Sequence, residues 1–149
     1  MDPQSMDEWC RTRGIRLTTT RREVLLIMHA RPGPISAYEL IRALSESRKR
    51  KVFPPTVYRA LDALRDLGLI ARIESRNTFL ARESPADHDS SLIYLCTQCG
   101  SAQEVLDPKV GLRVAADATR IHFHVAREVH EVEGVCGDCA AAAGVRASV

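Results

Sequence analysis

Two CxxC pairs, Cys96-Thr97-Gln98-Cys99 and Cys136-Gly137-Asp138-Cys139, constrain this chain more than any other feature. Two residues between thiols let both sulfurs of one tight turn reach the same ion, and four thiolates complete the closed tetrahedral site of structural zinc. Gly100 and Gly137 stand where such turns need permissive backbone. The 36 residues between the pairs exceed the usual separation in a zinc ribbon, so a folded module has to fill that space. Two rival readings are a redox CxxC, which works alone and needs no second pair, and disulfides, which a reducing compartment disfavours.

The intervening residues read as such a module. Leu92 to Leu95 and Ser101 to Leu106 are short apolar strands. Pro108 to Arg120 is a helix with Val110, Leu112, Val114, Ala115 and Ala118, and Ile121 to Val132 is expected to form one long strand. About 65 residues hold a limited core, so this body needs a staple, a partner subunit or both.

The first half has a different pattern. A helix is expected over Met6 to Arg13, stopping at Gly14, with Trp9 and Cys10 as packing residues. A second starts near Thr18 to Thr20, where Thr20 and Glu23 have capping-box spacing, and buries Val24, Leu25, Ile27 and Met28; His29 ends it as a capping or surface residue. A third starts on the Ser36/Glu39 box and carries Ala37, Leu40, Ile41 and Leu44 on one face. Beyond the basic run Arg48-Lys49-Arg50-Lys51, Pro54-Pro55 opens a fourth helix with Val57, Ala60, Leu61, Leu64 and Leu67 inward and Gly68 as its C-terminal stop. A hairpin follows, Leu69 to Ile73 and Thr78 to Ala81, turning at 75–77. Helices followed by a hairpin make a winged helix-turn-helix.

Charge separates the two halves. Residues 1–84 carry 16 Lys and Arg against 10 Asp and Glu, whereas residues 85–149 carry 5 against 9. A cationic first half suits a polyanion such as double-stranded DNA. A helix fits the major groove, where Arg59 is expected to read base edges, while Tyr58, Arg76 and the run Arg48, Lys49, Arg50 and Lys51 position the duplex through its phosphates, and Thr56 is a further DNA contact on the same exposed side. A merely solvated charged face remains the plainer reading of the same residues. Apolar runs such as Val24 to Met28 are too short to cross a bilayer, and the acidic start lacks the order of a signal peptide, so a cytoplasmic protein is expected. The stretch from His130 to Cys136 is superficially similar to a zinc-deaminase motif, but its spacing and missing Pro disagree, and four thiolates leave no position open for water. No HExxH, Walker or GxSxG pattern is present, so no enzyme and no small-molecule substrate are expected.

Arg16-Leu17-Thr18-Thr19-Thr20-Arg21, Ile35-Ser36-Ala37-Tyr38-Glu39-Leu40 and above all Pro54-Pro55-Thr56-Val57-Tyr58-Arg59-Ala60-Leu61-Asp62 resemble the ferric uptake regulator family, most closely its zinc-sensing branch. The resemblance implies a dimeric, metal-responsive repressor of metal-uptake genes acting on a palindromic operator. It also implies that Tyr38 and Arg59 contact bases. Its fold would be α+β, with a winged-helix domain over 1–82, a hinge over 83–91 and a dimerisation domain with the four-cysteine zinc over 92–149.

The zinc branch adds a second, regulatory zinc at the hinge. Its hinge His maps to His88 and its Glu to Glu104, but its wing His and Cys map to Ala71 and Arg82. His88, Asp89 and Glu104 are therefore expected to be joined by ligands from the last strand. His122, His124, Glu128 and His130 have even spacing and would share one face of it, although His122 and His130, about 26 Å apart along a strand, could not serve one ion. A family member sensing another divalent metal, or none, and a zinc-stapled interaction module or enzyme that binds no DNA are the alternatives.

Overall fold

The computed structural model describes residues 3–83 and 91–143, with side chains from Glu8 onward. The chain divides into two compact units, Met1–Pro85 and Ala86–Val149.

The first unit opens with helices α1 (Pro3–Thr12) and α2 (Thr19–His29). α1 starts earlier than expected and closes as expected: Gly14 takes φ +66° and the Ile15 N–H returns to the Cys10 carbonyl at 2.8 Å, a left-handed stop that glycine permits. The cap of α2 is Thr18, whose hydroxyl accepts from the Arg21 N–H. The expected Thr20/Glu23 box does not form, because both side chains are taken by Arg48, which donates to Glu23 and to Thr20. A distant cation outcompetes the local cap, and Arg48 is thereby removed from the exposed basic run.

Strand β1 (Ile35–Ser36) leads into α3 (Ala37–Arg48) through the full Ser36/Glu39 capping box. Helix α4 (Pro54–Asp66) buries Val57, Ala60, Leu61 and Leu64, and beyond it Gly68, at φ +69°, lets the Leu69 N–H reach the Leu64 carbonyl at 3.0 Å. β2 (Ile70–Ile73) and β3 (Thr78–Ala81) form the expected hairpin, with Asn77 at φ +49° in its turn. β1 pairs with β3, Ile35 opposite Phe79, which makes the wing a three-stranded antiparallel sheet of order β1-β3-β2. Two residues are too short a run to show strand periodicity. Val24, Leu25, Leu40, Leu44, Val57, Leu61, Leu64 and Ile70 are almost completely buried in one core shared by the helices and the wing, with Cys10 among them.

The second unit is a sheet of order β5-β4-β6, built from β4 (Ser91–Cys96), β5 (Ala102–Leu106) and β6 (Glu131–Gly134). β4 runs antiparallel to β5 and parallel to β6. α5 (Pro108–Arg120) has the expected bounds, capped by Asp107, and a short α6 (Gly137–Ala142) begins at Cys136. The expected long strand over 121–132 is corrected. The chain turns at Ile121 and His122, the latter at φ +56°, runs irregularly to His130, and pairs with β4 only from Glu131. β4 offers a partner only where Ile93 to Cys96 face it, and upstream residues without a neighbour have no ladder to join. No helix among the described residues is long and apolar enough to cross a membrane.

Candidate metal centre and nucleic-acid face

The end of β4 carries Cys96 into a turn that ends on Gly100 at φ +75°, presenting Cys99. The parallel pairing of Cys96 with Gly134 brings the second pair alongside, where Thr97 donates to the Gly134 carbonyl from its backbone at 2.8 Å and its hydroxyl at 3.1 Å. Cys136 then caps α6 and Cys139 lies in its first turn. The four sulfurs lie within 4.8 Å of one another, with 3.8 Å between Cys99 and Cys136. A tetrahedron with Zn–S bonds of 2.3 Å has an edge of about 3.8 Å, so the donor set fits a zinc ion.

The electrostatics are those of a site built for a cation. The Cys136 N–H, 3.3 Å from Cys96 Sγ, and the Cys99 N–H bring the Cys96 thiol down to about 6. Ser101, with its hydroxyl 3.1 Å from Cys99 Sγ, also lowers Cys99. Cys139, facing Cys136 and Cys99, is pushed up to about 12. Crowded sulfurs resist collecting four negative charges, and a divalent ion removes that resistance.

Among the described residues, the expected regulatory ligands Glu104, His122, His124 and Glu128 are not gathered. His88 and Asp89 lie outside the described residues. Glu104, opposite Ile93 in β5, accepts from the Ser91 hydroxyl. His122 and His124 are exposed on the irregular segment, so the shared strand face expected for them does not exist. Glu128 sits 3.0 Å from His130 Nε2. Among the described residues, the four cysteines are the one group of three or more such side chains close enough to hold an ion.

The first unit presents the expected cationic face. On α4, Thr56, Tyr58 and Arg59 are exposed while the opposite side of the helix is core. Tyr38, 73% exposed on the first turn of α3, has a large apolar ring in water, which folding alone does not require. Lys49, Arg50 and Lys51 are exposed, with Lys51 5.9 Å from the Phe53 ring, and Arg76 is half-buried at the wing turn. One feature was not legible in the chain as written. Thr18, Thr20 and Arg21 of α2 line a groove with Thr56, Arg59 and Ala60 of α4, although the threonines alone suggest no more than a helix start.

Residues 12–133 match the model of the ferric uptake regulator family. The chain belongs to that family. This family member is 35% identical over 131 residues to the zinc uptake regulation protein of Escherichia coli K12, covering 87% of this chain and 76% of that one. It is 31% identical over 128 residues to the ferric uptake regulation protein of Legionella pneumophila, covering 85% and 92%. Among solved structures, it superposes on a zinc uptake regulator complexed with zinc and DNA with a TM-score of 0.87 at 32% identity, covering 95% of both chains. A holo zinc uptake regulator, XcZur, gives 0.83 at 37% identity, covering 93% of this chain and 96% of that one. Members of this family are transcription regulators and not enzymes.

Proposed function

We propose that this chain is a homodimeric, zinc-dependent repressor that binds a palindromic operator and controls metal-uptake genes in the cytoplasm. The observation that carries this reading is the likeness, at a TM-score of 0.87, to a regulator held with zinc and DNA, in a chain that keeps the four gathered sulfurs and the exposed α4 face. Residues 1–82 act as the DNA-binding domain, 83–91 as hinge, and 92–149 as the dimerisation domain stapled by zinc on Cys96, Cys99, Cys136 and Cys139. Arg59 and Tyr38 read bases, and Thr56, Tyr58, Arg76, Lys49, Arg50 and Lys51 contact the duplex outside the base edges. A second zinc at the hinge, on His88, Asp89 and Glu104 with a ligand from His122, His124 or Glu128, favours the DNA-competent arrangement over others, and differential binding converts occupancy into affinity.

Operator affinity, measured with and without added zinc while the four-cysteine site stays loaded, tests the sensor. A zinc-dependent gain supports it, and equal affinity removes the sensing claim while leaving the DNA claim in place. Arg59→Ala abolishes operator discrimination on this reading.

A second reading is favoured by one observation. The two wing positions that ligate metal in the zinc branch hold Ala71 and Arg82 here, both 3% exposed in the fold of the wing. A member that senses another divalent metal, or has lost sensing, fits that replacement. Metal analysis separates the cases: two zinc ions per subunit support sensing, one supports loss.

A further inference from the structure

The groove between α2 and α4 is lined by Thr18, Thr20, Arg21, Thr56, Arg59 and Ala60. No carboxylate is among them, and neither Arg21 nor Arg59 has an ion-pair partner among the described residues. The hydroxyls are oriented by what they already accept. Thr18 Oγ1 takes the Arg21 N–H, and Thr20 Oγ1 takes Arg48 Nη2 at 2.7 Å, so the O–H of each is left to donate elsewhere. Arg48 is itself anchored on Glu23, so Thr20 is held in place by a network that joins α2 to the end of α3.

Two guanidinium groups and several hydroxyl donors around one concavity match a ligand that offers oxygen acceptors on all sides and carries negative charge. A base edge offers donors, acceptors and methyl groups in mixture and would leave such donors partly unmatched. We propose that this groove is a seat for a single phosphodiester of the DNA backbone, with Arg21 as its principal cation and Thr18, Thr20 and Thr56 as hydrogen-bond donors. The proposal rests on the DNA-binding function above and adds Arg21, Thr18 and Thr20 to it. Through this seat α2 sets the angle at which α4 enters the groove of the duplex, since a backbone contact on a second helix fixes orientation without reading sequence.

The test uses the zinc-loaded full chain, a 30-bp duplex enriched by it from a random-sequence pool, and a shuffled duplex of the same composition. Arg21→Gln is expected to weaken both duplexes by a similar factor, about tenfold, and to reduce the slope of log K against log salt by about 2 per dimer, one phosphate in each subunit. Arg21→Lys, which keeps the charge, is expected to retain the slope and guards against a folding defect. A loss confined to the enriched duplex would make Arg21 a base reader and overturn the proposal, as would an unchanged slope in Arg21→Gln. Inorganic phosphate is expected to displace DNA from the wild type more than chloride does at equal ionic strength, and to lose that advantage in Arg21→Gln, because free anion and duplex compete for this one seat; an equal phosphate effect in both proteins would place the anion elsewhere and overturn the assignment. A wild-type chain without salt-dependent DNA affinity overturns the function itself, an outcome distinct from all of these.

Discussion

Glu39 performs two tasks at the start of α3. Its carboxylate accepts from the Ser36 N–H at 2.9 Å and from the Ser36 hydroxyl at 2.8 Å, and it also meets Arg31 at 3.2 Å. The Ser36 backbone bond, then the Ser36 hydroxyl bond, hold its carboxyl below the usual carboxylate range. The folded state therefore binds the Glu39 proton less readily than the unfolded chain. The stability this contributes is complete above the ordinary carboxylate pKa and fades as pH falls through the lower, folded value. Ser36→Ala is expected to cost about 1 kcal/mol near neutral pH, and less in acid, as followed by urea unfolding at a series of pH values. Arg48 poses a larger risk at the same scale. Arg48→Ala leaves Glu23 partly buried without its cation, and a loss of about 1–3 kcal/mol in the same assay is expected. Neither role of Arg48 could be read from its place in a basic run, because Glu23 and Thr20 are 25 and 28 residues away.

Among the elements, α5 is the least satisfied by its own unit. Ala118 is its one buried residue, while Leu112 is 70% exposed, and Phe123 just beyond it is 63% exposed. The sheet of the same unit also shows Tyr94, Val105, Leu106 and Val132 to water. An apolar surface of this extent is the mark of an interface, and on the proposed function a second copy of the chain covers it. Leu112→Asp is expected to weaken the dimer by tenfold or more, about 1.4 kcal/mol, with little change in the secondary structure of either unit; sedimentation equilibrium against circular dichroism separates the two effects. The helix was legible in the sequence because Pro108 starts it and its apolar residues recur along it, and the structure adds Asp107 as its cap. The segment after it was not. Alternation from Ile121 to Val132 satisfies the rule for a strand, but a strand needs a neighbour, and β4 supplies one only from Glu131.

At the scale of the whole molecule, the two units differ in what stabilises them. The first has a continuous apolar core with a dozen nearly inaccessible side chains, whereas the second buries few large ones, chiefly Ile93 and Leu95. On the proposed function its missing stability comes from the ion and the partner subunit. Strong chelation is therefore expected to unfold residues of the second unit and dissociate the dimer while the first stays folded, visible as exchange protection lost over 91–143 and kept over the α2, α3 and α4 core. Uniform loss of protection, or none, would contradict this division.

Local chemistry was enough for the CxxC pairs, the Ser36/Glu39 box, the Pro-opened α4 and the hairpin, since each is specified by residues within about one or two turns of one another. Sequence alone also placed the thiols in pairs and the positive charge in the first half. Only tertiary structure decided that Cys96 meets Gly134 across a parallel ladder so that four sulfurs converge, that Ile35 joins the wing, that Arg48 turns inward, and that Arg21 shares a groove with Arg59. Those four outcomes depend on partners far along the chain, and pairing at that distance is determined by packing of the whole, which no local spacing encodes.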